Sequence, residues 1–456
     1  MSMMNLSISD WRHEVCGWRD MFSKCVDGIL RDARNNQQIG YLLEEGYVHV
    51  KGNLSFACVN DIPPDSYLEY IELLLPLVYK RGEWQDSILL LKEALTKKKD
   101  RGNLLVTLDW LSRLSEWLGQ YSKSEEYAVK GLQTSRQCRD KRQTFEFLLR
   151  LGKIHRSRGD YHKALELYKE AEILVTDDAA LNDRLVYMLV GMGLTYWHSN
   201  SYEQALSCYE KSLDLCKKTG NTEKMGQALN NMGLVYTEIG LYKKALDLFE
   251  QALAISANLK DRRETALTKG NIGMVYFYLG EYEIAIDYIT DALKNAVQLK
   301  SKYRIAKANA QLSLIYRLRN NSAEDMEKAA LYALEAYQIG TGADIIHFRI
   351  LGASYLAASR YKQGKLSEAI QLSSEAVRLL DQQIAFDGLE EEIYFIHSLI
   401  LDSRNKDESL RFLEKSFNCL QKKISQTSLL EFRNSLAGNV KLNRLISSRY
   451  LKYFHS

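Results

Sequence analysis

Proline is nearly missing from this 456-residue chain: three occur, Pro63, Pro64 and Pro76. After residue 76 no helix is interrupted by the loss of a backbone donor. The seven cysteines (Cys16, Cys25, Cys58, Cys138, Cys208, Cys216, Cys419) are scattered with no CxxC pair, which suits reduced, packed thiols rather than a disulfide scaffold. No apolar run approaches the 18 or so residues that cross a membrane. The first residues, with Trp11, Arg12 and Asp20, lack a signal-peptide pattern. The expected location is the cytoplasm, with no membrane partner. Excess charge is lacking too: 61 basic and 58 acidic residues leave +3, which gives no general case for nucleic acid.

The chemical motifs are equally sparse. There is no GxxxxGK followed by Ser or Thr, so no phosphate loop of that kind. No HExxH and no paired Cys/His cluster implies a metal. The eight histidines are dispersed, and His397 with Cys419 has only residue type in its favour as a nucleophile pair. Arg158-Gly159-Asp160 spells an adhesion motif but falls on a turn that accounts for it. The expectation is a non-enzyme with no cofactor and no metal.

What the chain does have is a period. Gly152, Gly193, Gly233, Gly273 and Ser313 follow one another at steps of 41, 40, 40 and 40 residues. Each is followed three residues on by a ring (His155, Tyr196, Tyr236, Tyr276, Tyr316), and the first four, nine residues on, by Tyr161, Tyr202, Tyr242 and Tyr282. A fixed period of this length means a stack of like supersecondary units, which presents a long surface rather than one deep reaction centre. Within one unit Met232 and Tyr236 lie four apart, as do Ala245 and Phe249, giving an apolar stripe on each of two helices. Gly240 closes the first helix, where a left-handed residue is cheap. Gly233, Ala245 and Ala252 let the pair approach closely. With 46% apolar residues a full core can be built.

The units with Gly152, Gly159, Tyr161, Ala164, Tyr168 and Ala171, with Gly193, Tyr196, Tyr202, Ala205, Tyr209 and Ser212, and with Gly273, Tyr276, Gly280, Tyr282, Ala285, Tyr288 and Ala292 repeat the plan. This pattern resembles the tetratricopeptide repeat, without its closing proline and with 40 residues in place of the usual 34. It is similar to the kinesin light chain, LGN and Rap arrays. The fold this implies is all-α: a right-handed α-solenoid of about eight helix pairs over residues 66–424. Weaker units carry Gly82, Trp84, Ser87, Leu91 and Ala94; Gly119, Tyr121, Ser124, Ala128 and Gly131; Ala329, Ala333 and Ala336 after an insertion near Ser322 to Asp325; Gly364, Leu366, Ala369, Ser373 and Ala376; and Ser409, Leu413 and Ser416.

Residues 1–62 do not fit the period. Helices followed by Tyr47 to Val50, Lys51-Gly52-Asn53 and Leu54 to Cys58 read as a small helical and hairpin cap, resembling a reduced winged helix. Residues 425–456 read as basic capping helices. Over 421–456, Lys422, Lys423, Arg433, Lys441, Arg444, Arg449 and Lys452 face one acid, Glu431. Tyr394 to His397, Leu413 to Phe417, Leu430 to Leu436, Asn439-Val440 and Asn443-Arg444 together resemble the closing unit of repeat regions in bacterial STAND, LuxR-type and CHAT regulators.

The resemblance implies that the first helix of each pair lines a concave groove. Two residues before the repeat glycine the ladder reads Arg150, Gly191, Asn231, Asn271 and Gln311, and amides that both donate and accept can grip a peptide backbone. Asn230 lies beside this row and Gln227 four residues before Asn231. Tyr187, Trp197, Phe277, Lys153 and Arg156 complete the candidate binding set, basic towards its N-terminal end and amide-aromatic in the middle. The implied function is a scaffold that binds a protein or peptide segment in a bacterial signalling or defence complex, associated with a protease, an ATPase or a CRISPR-type effector. The alternative is a peptide-responsive transcriptional or phosphorelay regulator of the quorum-sensing type. Its DNA-binding form would need a basic recognition helix, and residues 33–45 offer Arg34 against Glu44 and Glu45.

Overall fold

The computed structural model describes residues 101–117, 120–175, 182–299, 301–319, 322–343, 345–382 and 390–454, with Ile88, Leu91 and Lys92 besides. The expected cap over 1–62 and most of the unit around Gly82 lie outside them. The described residues form eighteen helices: α1 (Arg101–Trp117), α2 (Tyr121–Gln137), α3 (Lys141–Ser157), α4 (Tyr161–Leu174), α5 (Asn182–His198), α6 (Tyr202–Thr219), α7 (Thr222–Ile239), α8 (Tyr242–Asn258) and α9 (Arg262–Leu279). The order continues with α10 (Tyr282–Gln298), α11 (Lys302–Leu318), α12 (Ala323–Gly342), α13 (Ile346–Lys362), α14 (Leu366–Asp381), α15 (Glu390–Leu401), α16 (Lys406–Gln426), α17 (Leu430–Gly438) and α18 (Lys441–Phe454). No strand occurs among the described residues.

Two compact units divide the chain: one ends at His155 and takes in Lys169–Leu174, the other holds Arg156–Tyr168 and Val175–Ser456. In the first, α1 pairs with α2, and Phe147 of α3 packs against Gly131 of α2. The second is a run of antiparallel pairs, α5/α6 through α15/α16, in which each helix also packs on the next pair. The first helices α5, α7, α9, α11, α13 and α15 touch their successors directly, so they form a continuous inner layer of the solenoid.

The repeat glycine is explained by what sits on it. A Cβ on Gly193 would lie 2.5 Å from the Tyr209 ring, one on Gly233 2.6 Å from Phe249, and one on Gly273 2.6 Å from Ile289. Each is a side chain of the second helix of a pair pressed onto bare backbone of the first. In the third unit Ile289, rather than the ring expected at Tyr288, fills this place. Tyr288 instead stacks on Tyr276, centroids 5.8 Å apart, as Tyr332 stacks on Tyr316 at 5.7 Å.

The ends of the helices follow from local chemistry. Asn221 caps α7 by accepting from the Lys224 N–H, and Asp261 caps α9 by accepting from Arg263 and Glu264. Gly240 and Gly280 end these helices at φ of 88° and 89°, the left-handed conformation expected of a C-terminal glycine. The insertion before α12 is pinned by Ser322, which accepts from the Asp325 N–H, and by Arg319, whose guanidinium lies 2.6 Å from the buried Asp325 carboxylate.

The last helices depart from simple stacking. α15 is buried on nearly every side, with Glu391, Glu392 and His397 inside among Ile393, Tyr394, Phe395 and Ile396. α17 then returns to α7: Phe432 and Leu436 join the core of Tyr202, Tyr209, Val235 and Ile239. Phe432 meets Tyr236 edge-on at 6.3 Å, and Asn439 donates to the Gly240 carbonyl at 3.3 Å.

Candidate functional site: the inner wall

Because α5, α7, α9 and α11 keep one 40-residue register, equivalent residues fall into rows along the inner layer. The row two before the repeat small residue holds Gly191, Asn231, Asn271 and Gln311; a second holds Tyr187, Gln227, Leu267 and Lys307; a third holds Arg184, Lys224, Glu264 and Arg304. Side chains bridge neighbouring helices within these rows. Lys224 Nζ lies 4.3 Å from the Tyr187 ring centroid and donates to Gln227 Oε1 at 3.0 Å. Lys307 Nζ donates to Asn271 Oδ1 at 3.3 Å.

The amides divide into two kinds. Asn230 and Asn271, both 3% exposed, are joined by a 3.0 Å bond from Asn271 Nδ2 to Asn230 Oδ1, which also lies 3.4 Å from the Thr268 hydroxyl. They clip α7 to α9 rather than face outward, which corrects their expected place as open groove residues. A buried amide left unbonded is costly, so two neighbouring ones pair. Asn231 and Gln311 are half-buried, and their side-chain amides have no hydrogen-bond partner among the described residues. Gln311 lies over Gly270, its Oε1 3.7 Å from where a Cβ would stand. Gln227 bonds Lys224 and, more loosely, Glu223 at 3.4 Å.

The other expected residues are distributed as follows. Tyr187 is 49% exposed. Phe277 is 8% exposed and belongs to the core with Ala308 and Leu312, so it is no groove residue: its position faces the next pair. Trp197 donates its indole N–H to Glu238 at 2.5 Å. In the first unit Arg150 lies 2.9 Å from Asp109 and Lys153 2.9 Å from Glu116, so the expected basic end is neutralised in place. Arg156 stands beside Tyr209, and its Nε is buried with no hydrogen-bond partner among the described residues.

Around Lys423 of α16 and Arg317 of α11, sequence reasoning missed a buried charge network. Glu238 of α7 accepts from Trp197, from the Tyr202 hydroxyl at 3.0 Å and from Lys423 of α16 at 2.9 Å. Lys423 also meets Glu391 at 2.8 Å. Glu392 lies 3.4 Å from Arg317 and accepts from Tyr355 at 3.0 Å. Burial works to raise the Glu238 carboxyl, but the charge and hydrogen bonds of Lys423, with those of Trp197 and Tyr202, hold it below its ordinary value. Burial pushes the Glu392 carboxyl up, which Arg317 and Tyr355 only partly offset. The signal available was the run Glu390-Glu391-Glu392 opening an otherwise apolar helix; nothing in it names a partner on α7.

No cluster of three metal-ligating side chains occurs among the described residues, and no helix among them is long and apolar enough to cross a membrane. The arrangement is an extended wall of amides, rings and cations.

Paired helices in a 40-residue register, the first of each pair carrying a small residue under a side chain of the second, define the tetratricopeptide class of α-solenoid. Family models of the tetratricopeptide repeat match residues 148–178, 184–258 and 268–296, so these stretches carry tetratricopeptide repeats. No curated protein matches it by sequence. Among solved structures it is similar to aspartyl phosphate phosphatase F from Bacillus subtilis, at 16% identity and a TM-score of 0.50, over 85% of this chain and 99% of that one. It is also similar to the apo form of RapI, at 16% identity and a TM-score of 0.51, over 82% and 98% of the two chains. At these identities the likeness is one of fold.

Proposed function

We propose that the chain is a non-catalytic binding protein whose inner wall, formed by α5, α7, α9 and α11, takes up a segment of a partner protein. The observation that supports this most is the pair of uncommitted amides, Asn231 and Gln311, on a wall that also presents Tyr187 and Gln227. An amide facing a groove can pair with both the N–H and the C=O of an extended backbone, and an exposed tyrosine adds contact area at little entropic cost. A wall held by close helix packing is preorganised, which lowers the ordering cost of capture. A cytoplasmic bacterial signalling or defence complex is the setting we propose.

The test is affinity capture of the partner from the source cell by the full chain. Asn231→Ala with Gln311→Ala is expected to lose the partner while the melting temperature stays within a few degrees of the parent. Undiminished capture by that double variant would remove the wall as the binding surface.

A further inference from the structure

The buried acids of the inner layer have cations built in: Glu238, near the end of α7, and Glu391, in the first turn of α15, share Lys423, and Glu392 meets Arg317. Over the N-terminal halves of α5, α7, α9 and α11 the balance is reversed. The rows that begin at Arg184 and at Tyr187 hold four cations, Arg184, Lys224, Arg304 and Lys307, against one acid, Glu264. That acid stands near Arg304 and Lys224 but also beside Asp261. Among the described residues the carboxylate within ion-pair distance of Lys224 is that of Glu223, 3.5 Å away and 57% exposed, so it is free to swing out.

These cations are set into the wall rather than floating above it. The Lys224 side chain is 12% exposed and lies over the Tyr187 ring, which Arg184 also approaches at 5.9 Å. Lys307 is tethered through Asn271 to the Asn271–Asn230 clip. A half-buried cation in a surface of lowered dielectric gains more from an incoming anion than a solvated one does. On this layout, and resting on the wall reading above, we propose that the segment taken up is acidic: an extended chain whose carboxylates meet Lys224 and Arg184 at one end and Arg304 and Lys307 at the other. Packed helices sit about 10 Å apart, and a chain in the extended polyproline II form advances roughly 3.1 Å per residue with three residues per turn. Carboxylates three residues apart therefore share one face and meet successive first helices, while Asn231 and Gln311 hold the backbone between them.

The full chain is titrated into two dye-labelled dodecapeptides of Gly, Ser and Ala, one with Asp at every third position and its twin with Asn there, read by fluorescence anisotropy. The expected result is saturable binding of the Asp peptide alone, weakened at least about tenfold by Lys224→Gln with Arg304→Gln. It is weakened similarly by Lys307→Gln, the milder change, should the double variant melt early. Equal binding of both peptides would overturn the selection for acid and leave the wall reading standing. Asp-peptide binding unaffected by these substitutions would place the anion elsewhere and overturn the proposal. Absence of binding to either peptide would overturn it too. Partner capture that still depends on Asn231 and Gln311 would then keep the wall reading alive.

Discussion

The Lys423 ammonium of α16 lies 2.9 Å from the Glu238 carboxylate of α7, and the Lys423 side chain is 11% exposed. This contact ties the end of the array to its middle, and Glu391 at 2.8 Å makes Lys423 a cation shared by two largely buried acids. Lys423→Ala leaves both carboxylates facing each other in a poorly solvated place. The expected cost is about 3–5 kcal/mol, the range for breaking a buried pair by removing one member. Lys423→Met with Glu238→Gln and Glu391→Gln, which deletes charge on both sides, is expected to recover most of it. Chemical denaturation of the variants checks the order; equal loss in both would remove the charge pairing as the cause.

Gly240 and Gly280 separate the docking of α17 from the turn it docks on. Both end a first helix with nearly the same left-handed φ, so alanine at either pays the same backbone strain, about 1 kcal/mol. A Cβ on Gly280 meets nothing within 4 Å, whereas one on Gly240 lies 3.0 Å from Asn439 Cβ and 3.2 Å from Val440 Cγ2. Gly240→Ala is expected to cost a further 1–3 kcal/mol or so as α17 is pushed back. Hydrogen exchange over 427–444 checks it: protection falls in Gly240→Ala and is unchanged in Gly280→Ala.

His397 makes stability depend on pH. It is 3% exposed, edge-on to Phe412 at 4.5 Å, with Nδ1 2.9 Å from the Ser373 hydroxyl. Burial holds its imidazole down at about 4, with Arg411 helping and Glu408 opposing. The unfolded chain takes up that proton near the ordinary histidine value, so the stability His397 confers is full above pH about 6.5. It is lost as pH falls towards 4, by at most about 3 kcal/mol. His397→Leu is expected to flatten that part of the curve relative to the parent, as measured by urea midpoints between pH 7 and pH 4. A parallel decline in both proteins would assign the loss to carboxylates instead.

The period, the paired helices and their left-handed glycine ends were legible because each is carried by residues a few positions apart: Gly233 under Phe249, Gly240 after Tyr236. The return of α17 was not. Phe432 and Lys423 carry no mark that distinguishes a solvated capping helix from one whose partners are Tyr236 and Glu238 far back in the chain. The amide ladder was half legible for a geometric reason. Asn230 and Asn231 are successive residues, set about 100° apart around α7, so one turns to α9 and the other to the wall. Row counting placed Asn271 with Asn231, whereas its amide is spent on Asn230. The neutralised Arg150 and Lys153 show the same limit, since Asp109 and Glu116 sit a full unit earlier in the sequence.

The two kinds of amide predict opposite phenotypes. Asn271→Ala strands the buried Asn230 Oδ1 with only the long Thr268 contact and removes an acceptor from Lys307, so a loss of about 1–3 kcal/mol is expected. Asn230→Ala with Asn271→Ala removes both buried amides, and its cost is expected to fall short of the sum of the single ones, since each single variant already breaks the shared bond. Asn231→Ala, by contrast, removes no bond within the described residues and is expected to stay within about 0.5 kcal/mol of the parent while weakening partner capture. A double-mutant cycle by urea denaturation, run beside the capture measurement, tests both halves. Stability loss in Asn231→Ala equal to that in Asn271→Ala would mean that the wall amide is structural too, and the binding role assigned to it would go with it.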